Sequence, residues 1–250
     1  MKLSHFLASA MAVIAIAGCN SQPGDAATNA PVNVNPVAPP PGGDWSKIVT
    51  ATPEGGFVMG NPNAPVKLIE FSSMTCPHCA EFDEAAATPL ANNYVKTGQV
   101  SWEVRNYVRD AFDVAASLIA RCNGEKGFFP MTSALFRDQK NWIAKVQAAP
   151  QQQLESLQSL PPNQQFLQMA KIAGFQQFAT ARGIPEAKST QCLKDENAVN
   201  RLVQMTSDAS TQFPDLPGTP SFVLNGKLLD KTAAWQQLEP QLKTALGERG

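Results

Sequence analysis

The spacing of apolar residues changes character several times along the chain, and each change marks an element. Lys2 precedes a stretch from Leu3 to Gly18 that holds no acid or strong base and centres on Ala12-Val13-Ile14-Ala15-Ile16-Ala17. A positive start and a short apolar run have the layout of a secretory signal peptide, and the run is short for a membrane-spanning helix. Residues 19–44 show no amphipathic period, and Pro31, Pro36, Pro39, Pro40 and Pro41 alternate with Asn, Val and Ala. Such a stretch reads as an extended tether, with a reach on the order of 75 Å at ~3.1 Å per residue. Order is expected from Trp45. Phe57-Val58-Met59 between glycines reads as a short strand, and Val66 to Phe71, mostly apolar on both faces, as a buried parallel strand. A helix is expected from Pro77 to Lys96, with Phe82, Ala85, Ala86, Leu90 and Tyr94 on its apolar face, Pro89 as a kink and Gly98 as its stop. Val100 to Val108 reads as the next strand.

From Asp110 to Thr211 the period is helical. Helices are expected over Ala111–Arg121, Phe128–Trp142, Gln151–Leu160, Pro161–Phe178, Pro185–Leu193 and Asn197–Gln212. Sheet returns at Thr219 to Leu224, turns at Asn225-Gly226 into Lys227-Leu228-Leu229, and a last helix follows from Trp235 to Leu246. The order strand, helix, strand, helical block, hairpin, helix describes an α/β chain interrupted by an all-helical insertion. The expected divisions are 1–18 signal, 19–44 tether, 45–109 first part of the α/β domain, 110–212 insertion and 213–250 second part.

Composition narrows the function. The 250 residues carry a formal net charge of −1, which gives no electrostatic case for nucleic acid or an acidic membrane surface. Five cysteines are present, and only two histidines, His5 and His78. Ile16-Ala17-Gly18-Cys19 resembles the bacterial lipobox, which implies that Cys19 is acylated and becomes the first residue of the mature chain. Ordinary cleavage near Ala26-Ala27, or an uncleaved anchor, are the alternatives. Loss of the signal removes His5, and one remaining histidine argues against a multi-histidine metal site.

Cys76-Pro77-His78-Cys79 is the candidate centre. A CxxC is either redox-active or half of a zinc site. Cys122 and Cys192 stand alone, far from each other, and match zinc-ligand spacing poorly. The pair follows a buried-type strand and opens a helix, so Cys76 falls at or near the N-cap, where free N–H groups and the helix dipole face its sulfur. Pro77 suits the first helical turn. A cationic His78 beside Cys76 would add to the stabilisation of a thiolate. Glu70, in a run otherwise fit for burial, is a candidate functional acid, with an edge or surface residue as the alternative. Cys122 and Cys192 are expected to pair in an oxidising compartment, with two free buried thiols as the alternative.

The run Leu68-Ile69-Glu70-Phe71-Ser72-Ser73-Met74-Thr75-Cys76-Pro77-His78-Cys79, together with the later Thr219-Pro220, resembles the DsbA family of thioredoxin-like dithiol oxidases. The resemblance runs from about Phe57 to Leu246 and implies a thioredoxin-like fold with an inserted all-helical subdomain. It implies that Cys76 is the exposed attacking sulfur, with a pKa near ~3.5 against ~8.5 for free cysteine, and that Cys79 is the buried resolving one. It makes Glu70 the acid that relays protons to Cys79, and Thr219-Pro220 a cis-proline loop on which an extended client pairs. It makes a Cys122–Cys192 bond structural. Residues before that proline vary with redox task, and threonine also occurs in isomerases and reductases. The implied function is a monomeric thiol–disulfide oxidoreductase of the cell envelope, held to a membrane by lipid and needing no cofactor. Its partners would be reduced or misoxidised envelope proteins and a membrane redox protein that resets the CxxC. A reductase or isomerase on the same fold, or a tethered client- or metal-binding protein, are the alternatives.

Overall fold

A computed structural model describes residues 36–40 and 43–248 of the chain. The signal segment, His5 and Cys19 lie outside them. The first contact with the folded body comes at Val37, whose N–H donates to the Thr97 carbonyl at 2.9 Å while its own carbonyl accepts from the Trp45 indole at 2.8 Å. A single 3-10 turn, Trp45–Lys47, follows, with Asp44 capping it.

Strands β1 (Val49–Ala51), β2 (Phe57–Gly60) and β3 (Val66–Ser72) precede helix α1 (Pro77–Pro89) and strand β4 (Val100–Asn106). The insertion contains α2 (Ala111–Arg121), α3 (Gly124–Arg137), α4 (Gln139–Gln147), α5 (Gln151–Leu157), α6 (Pro162–Ala173), α7 (Phe175–Thr180), α8 (Glu186–Lys194) and α9 (Glu196–Gln212). Strands β5 (Ser221–Leu224) and β6 (Lys227–Leu228) and helix α10 (Trp235–Ala245) complete the chain. The sheet runs β1-β2-β4-β3-β5-β6, with β3 and β4 parallel and every other pair antiparallel.

β3 lies between β4 and β5, and both of its faces are covered. This is why its sequence is apolar almost throughout. Val66 and Leu68 belong to the large core that also holds Phe82, Ala86 and Leu90 of the α1 segment and Leu238 and Leu242 of α10. Phe71 packs on the opposite face with Val223 of β5 and Ala209 of α9. The hairpin after β5 turns at Asn225 and Gly226, both with positive φ, as the two-residue turn between twisted strands requires.

Several expected elements differ in detail. The long first helix ends at Pro89, and a wider turn of π type (Leu90–Tyr94) and a 3-10 turn (Val95–Thr97) carry the chain to Gly98. Proline at the break accounts for the change of winding. Gly98 has φ +75°, and a Cβ there would fall 2.6 Å from the Trp45 indole nitrogen and from the Val37 carbonyl. α1 buries Cys79, Phe82, Asp83 and Ala86, while Ala85 is exposed. The stripe at i, i+3, i+4, i+7 passes through the acid at 83 rather than the alanine at 85. The helix expected over Phe128–Trp142 is two, α3 and α4, parted at Asp138. The one expected over Pro161–Phe178 stops at Gly174, whose φ is +79°. β1 carries no alternating burial and was not legible as a strand.

Candidate active site

The end of β3, the start of α1 and the loop before β5 converge at one end of the sheet. Cys76 is the N-cap of α1, with extended backbone, and Pro77 is its first residue. Proline fits because that position has no intrahelical N–H bond to lose. The first-turn N–H groups therefore face the Cys76 sulfur. Thr219-Pro220 is a cis peptide bond, and the Thr219 carbonyl accepts from the Cys76 thiol at 3.1 Å. The Thr219 hydroxyl is buried and has no hydrogen-bond partner.

Cys76 and Cys79 are both free thiols in contrasting surroundings. The Cys76 pKa falls to about 5: a hydrogen bond from the Cys79 thiol is the largest cause, burial opposes it, and Thr219 and the backbone N–H groups of Cys79 and His78 add to it. The Cys79 pKa is driven well above the ordinary thiol value by burial first, then by Cys76, with the Ser73 N–H pulling back and Glu70 pushing further. That N–H lies 3.5 Å from the Cys79 sulfur. Two expectations change here. Cys76 is 2% exposed, not an open sulfur, because the cis-proline loop lies across it; Pro77 and His78 form the exposed rim. Its pKa also lies above the ~3.5 that the family resemblance implies.

The His78 imidazole does not lie among the main causes of the low Cys76 pKa; His78 contributes through its backbone N–H. Its Nδ1 pairs with the Glu81 carboxylate at 2.9 Å, one helical turn on. Glu81 first, and the Cys76 charge after it, raise the His78 pKa. Both neighbours favour the protonated imidazole at the rim, and part of its field is spent on Glu81. An i, i+3 acid after His78 was the sequence signal for this pair.

Glu70 is buried beneath the CxxC, on the β3 face shared with Leu68. Its Oε2 accepts from the Trp102 indole of β4 at 3.0 Å. Burial raises its pKa to about 8; Asp83 contributes in the same direction, while Ser72 and Trp102 oppose. Asp83, buried on α1 and bonded to the Ser133 hydroxyl at 2.8 Å, is itself raised by burial.

The insertion also reaches the site. Asp113 of α2 accepts from the Ser73 hydroxyl at 2.5 Å, the Met74 N–H at 2.8 Å and the Arg109 N–H at 3.0 Å. Gln139 of α4 donates to the Met74 carbonyl at 2.7 Å and the Cys76 carbonyl at 2.9 Å. Asp110, the α2 N-cap, accepts from the Thr75 hydroxyl at 2.7 Å. None of these three was picked out from the sequence. Cys122 and Cys192 form a disulfide between the C-terminal end of α2 and α8, away from the CxxC. Among the described residues no group of acids, histidines and cysteines is arranged to hold a metal ion, and no helix is long and apolar enough to cross a membrane.

This geometry can be set beside known proteins. A sequence profile described as Thioredoxin matches residues 52–244. A solved structure of a protein-disulfide isomerase from Novosphingobium aromaticivorans is 34% identical, covers 76% of this chain and 97% of that one, and superposes with a TM-score of 0.72. The Wolbachia pipientis protein alpha-DsbA1 is 17% identical, covers 79% of this chain and 94% of its own, and has a TM-score of 0.63, a likeness of fold. A Rickettsia felis protein assigned by name as a protein-disulfide oxidoreductase is 24% identical over 72% of this chain. The chain spans 56% of that relative's length. The α1 N-terminus carrying the CxxC, the cis-proline loop against it and the profile match agree: the chain belongs to the thioredoxin family, among its thiol–disulfide oxidoreductases.

Proposed function

We propose that the protein is a dithiol oxidase of the cell envelope that donates its Cys76–Cys79 disulfide to client proteins. The observation that carries this reading is the split between the two thiols. Cys76 ionises near 5 and Cys79 far higher, so at neutral pH the reduced pair rests as one anion and one thiol. A stabilised reduced form makes the disulfide a strong oxidant.

A client thiolate attacks the Cys76 sulfur of the oxidised protein. A bond forms between the two sulfurs, and the Cys76–Cys79 bond breaks. Cys79 leaves as a thiolate and takes a proton, for which protonated Glu70 below it is the source. A second client thiolate then attacks the client sulfur of the mixed disulfide and releases Cys76 as the stabilised anion. The client has lost two electrons and the protein has gained them. A membrane redox partner that removes those electrons completes the cycle. The backbone of Thr219, ahead of the cis bond, offers a client backbone pairing groups next to Cys76. Cleavage of the amino-terminal signal, lipidation at Cys19, attachment to a membrane and a monomeric state belong to the same proposal and rest on the sequence.

An isomerase is the second reading, favoured by the name of the 34%-identical Novosphingobium protein and by Thr219. One equilibrium separates the two. Against glutathione, a potential near ~−120 mV supports the oxidase and one near ~−180 mV the isomerase. Titration of the Cys76 thiol by its thiolate absorbance should give a midpoint near 5; a midpoint near ~8.5 would remove the basis of both.

A further inference from the structure

We infer that Asp113 and Gln139 are positioning residues for the redox pair, and that the helical insertion uses them to hold the loop Ser73–Cys76 from two sides. This deepens the oxidoreductase reading and rests on it.

The loop carries the groups that tune both sulfurs. Its Ser73 N–H points at the Cys79 sulfur, and its last residue, Cys76, begins α1 and so sets where the first-turn N–H groups lie. Within the loop itself, one backbone bond, from the Cys76 N–H to the Ser73 carbonyl at 3.2 Å, closes the turn. Five of its other polar groups bond to side chains of the insertion: the Ser73 and Thr75 hydroxyls, the Met74 N–H, and the Met74 and Cys76 carbonyls. Asp113 is fully buried, and both of its oxygens are taken. Oδ1 accepts from the Met74 N–H and, at 3.3 Å, from the Ser117 hydroxyl; Oδ2 accepts from the Ser73 hydroxyl and the Arg109 N–H. Gln139 is 4% exposed, and its amide nitrogen faces two carbonyls, Met74 and Cys76. Two carbonyl acceptors admit only the NH2 end of the amide, so its orientation is set by chemistry.

An acid with four donors cannot be replaced by its amide without loss. Asn offers one carbonyl oxygen, and its NH2 group would face a backbone N–H that cannot reverse, at Met74 or at Arg109. Likewise, Gln139→Met keeps the volume but leaves the Met74 carbonyl without its side-chain donor and the Cys76 carbonyl with only the Ala80 N–H, at 3.3 Å. Either change frees the loop at the point where it aligns N–H groups on the sulfurs. The thiolate then loses stabilisation, and the disulfide becomes less oxidising.

The test compares the full chain with Gln139→Met and Asp113→Asn, reading the glutathione equilibrium, the Cys76 titration and the urea stability of both redox forms. For Gln139→Met the oxidising equilibrium constant should fall about threefold or more, the scale of one hydrogen bond, and the Cys76 midpoint should rise. Asp113→Asn should fall in the same direction, although loss of a negative charge near two sulfurs would by itself favour the thiolate and move it the other way. A merely structural role would lower the stability of oxidised and reduced forms equally and leave the equilibrium unchanged, which would overturn the inference. So would an Asp113→Asn variant that becomes more oxidising. Should Asp113→Asn fail to fold, the charge-neutral Gln139→Met decides alone. If the parent chain itself shows no exchange with glutathione, the oxidoreductase reading fails, and that outcome is distinct from unchanged variants of an active parent.

Discussion

Glu70→Gln should make the protein more stable and a poorer catalyst, and the gain should grow with pH. In the unfolded chain the Glu70 carboxyl titrates at its ordinary value near 4.5, while in the folded, reduced protein it titrates at about 8 because burial disfavours its anion. Between those values the folded state binds more protons than the unfolded one, so stability falls as pH rises across that window. The carboxyl costs about 1 kcal/mol at pH 5, about 3 kcal/mol at pH 7 and about 5 kcal/mol at pH 9, at about 1.36 kcal/mol per pH unit. Gln keeps an oxygen for the Trp102 indole and nearly the same volume, but it does not titrate. Other ionising groups are common to both chains and cancel in the difference, apart from Asp83 and Cys79, whose coupling to Glu70 goes with it. Urea melts of the reduced proteins at pH 5, 7 and 9 should therefore show a gap that widens stepwise in favour of Glu70→Gln. Formation of the mixed disulfide should slow in the same variant, because Cys79, the leaving thiolate, loses its proton donor. Two stability curves running parallel from pH 5 to 9 would refute the argument, for they would mean that Glu70 is ionised in the fold at its ordinary pKa.

Two further outcomes follow from other parts of the structure. Replacing Cys122 and Cys192 together by Ala opens a loop of 70 residues and should lower stability by about 4 kcal/mol on the chain-entropy account; the glutathione equilibrium of Cys76–Cys79 should stay unchanged, and a shift there would show that the bond acts on the site. Glu81→Gln should lower the His78 pKa, since Glu81 is its largest cause. NMR titration of the imidazole measures this, and an unmoved midpoint would mean that the pair is not formed in solution.

What could be read from the sequence follows how local each signal is. The CxxC announces its place because a buried-type run ends at Phe71 and a proline-started helix begins at Pro77, six residues on. Glu70 was readable as an acid inside an apolar run, and Thr219-Pro220 as the start of a strand ahead of an Asn-Gly hairpin. The resemblance to known dithiol oxidases added the relation between those pieces, which spacing alone does not contain. Asp113 and Gln139 left no such trace. Asp113 looks like an ordinary member of a capped first turn after Asp110, and Gln139 like any polar residue on a helix. Their shared backbone partner, Met74, is 39 and 65 positions away, and backbone groups carry no side-chain pattern. The break between α3 and α4 was equally silent, since Asp138 interrupts a run whose apolar period continues through Trp142. His78 shows a different limit: its identity was plain, but its direction depended on Glu81.

The Val37 contact has a bearing on how the protein can be handled. Val37 is pinned to Thr97, just ahead of β4, while the CxxC lies beyond the far end of β3, which runs parallel to it. Seven residues of strand separate those levels, a distance of roughly 20 Å at ~3.3 Å per residue. Anything coupled upstream of residue 36, whether a resin, a fluorophore or an acyl group, joins the molecule at its base. The sulfurs then look outward from the support, so an immobilised preparation keeps its reactive end open to a bulky polypeptide.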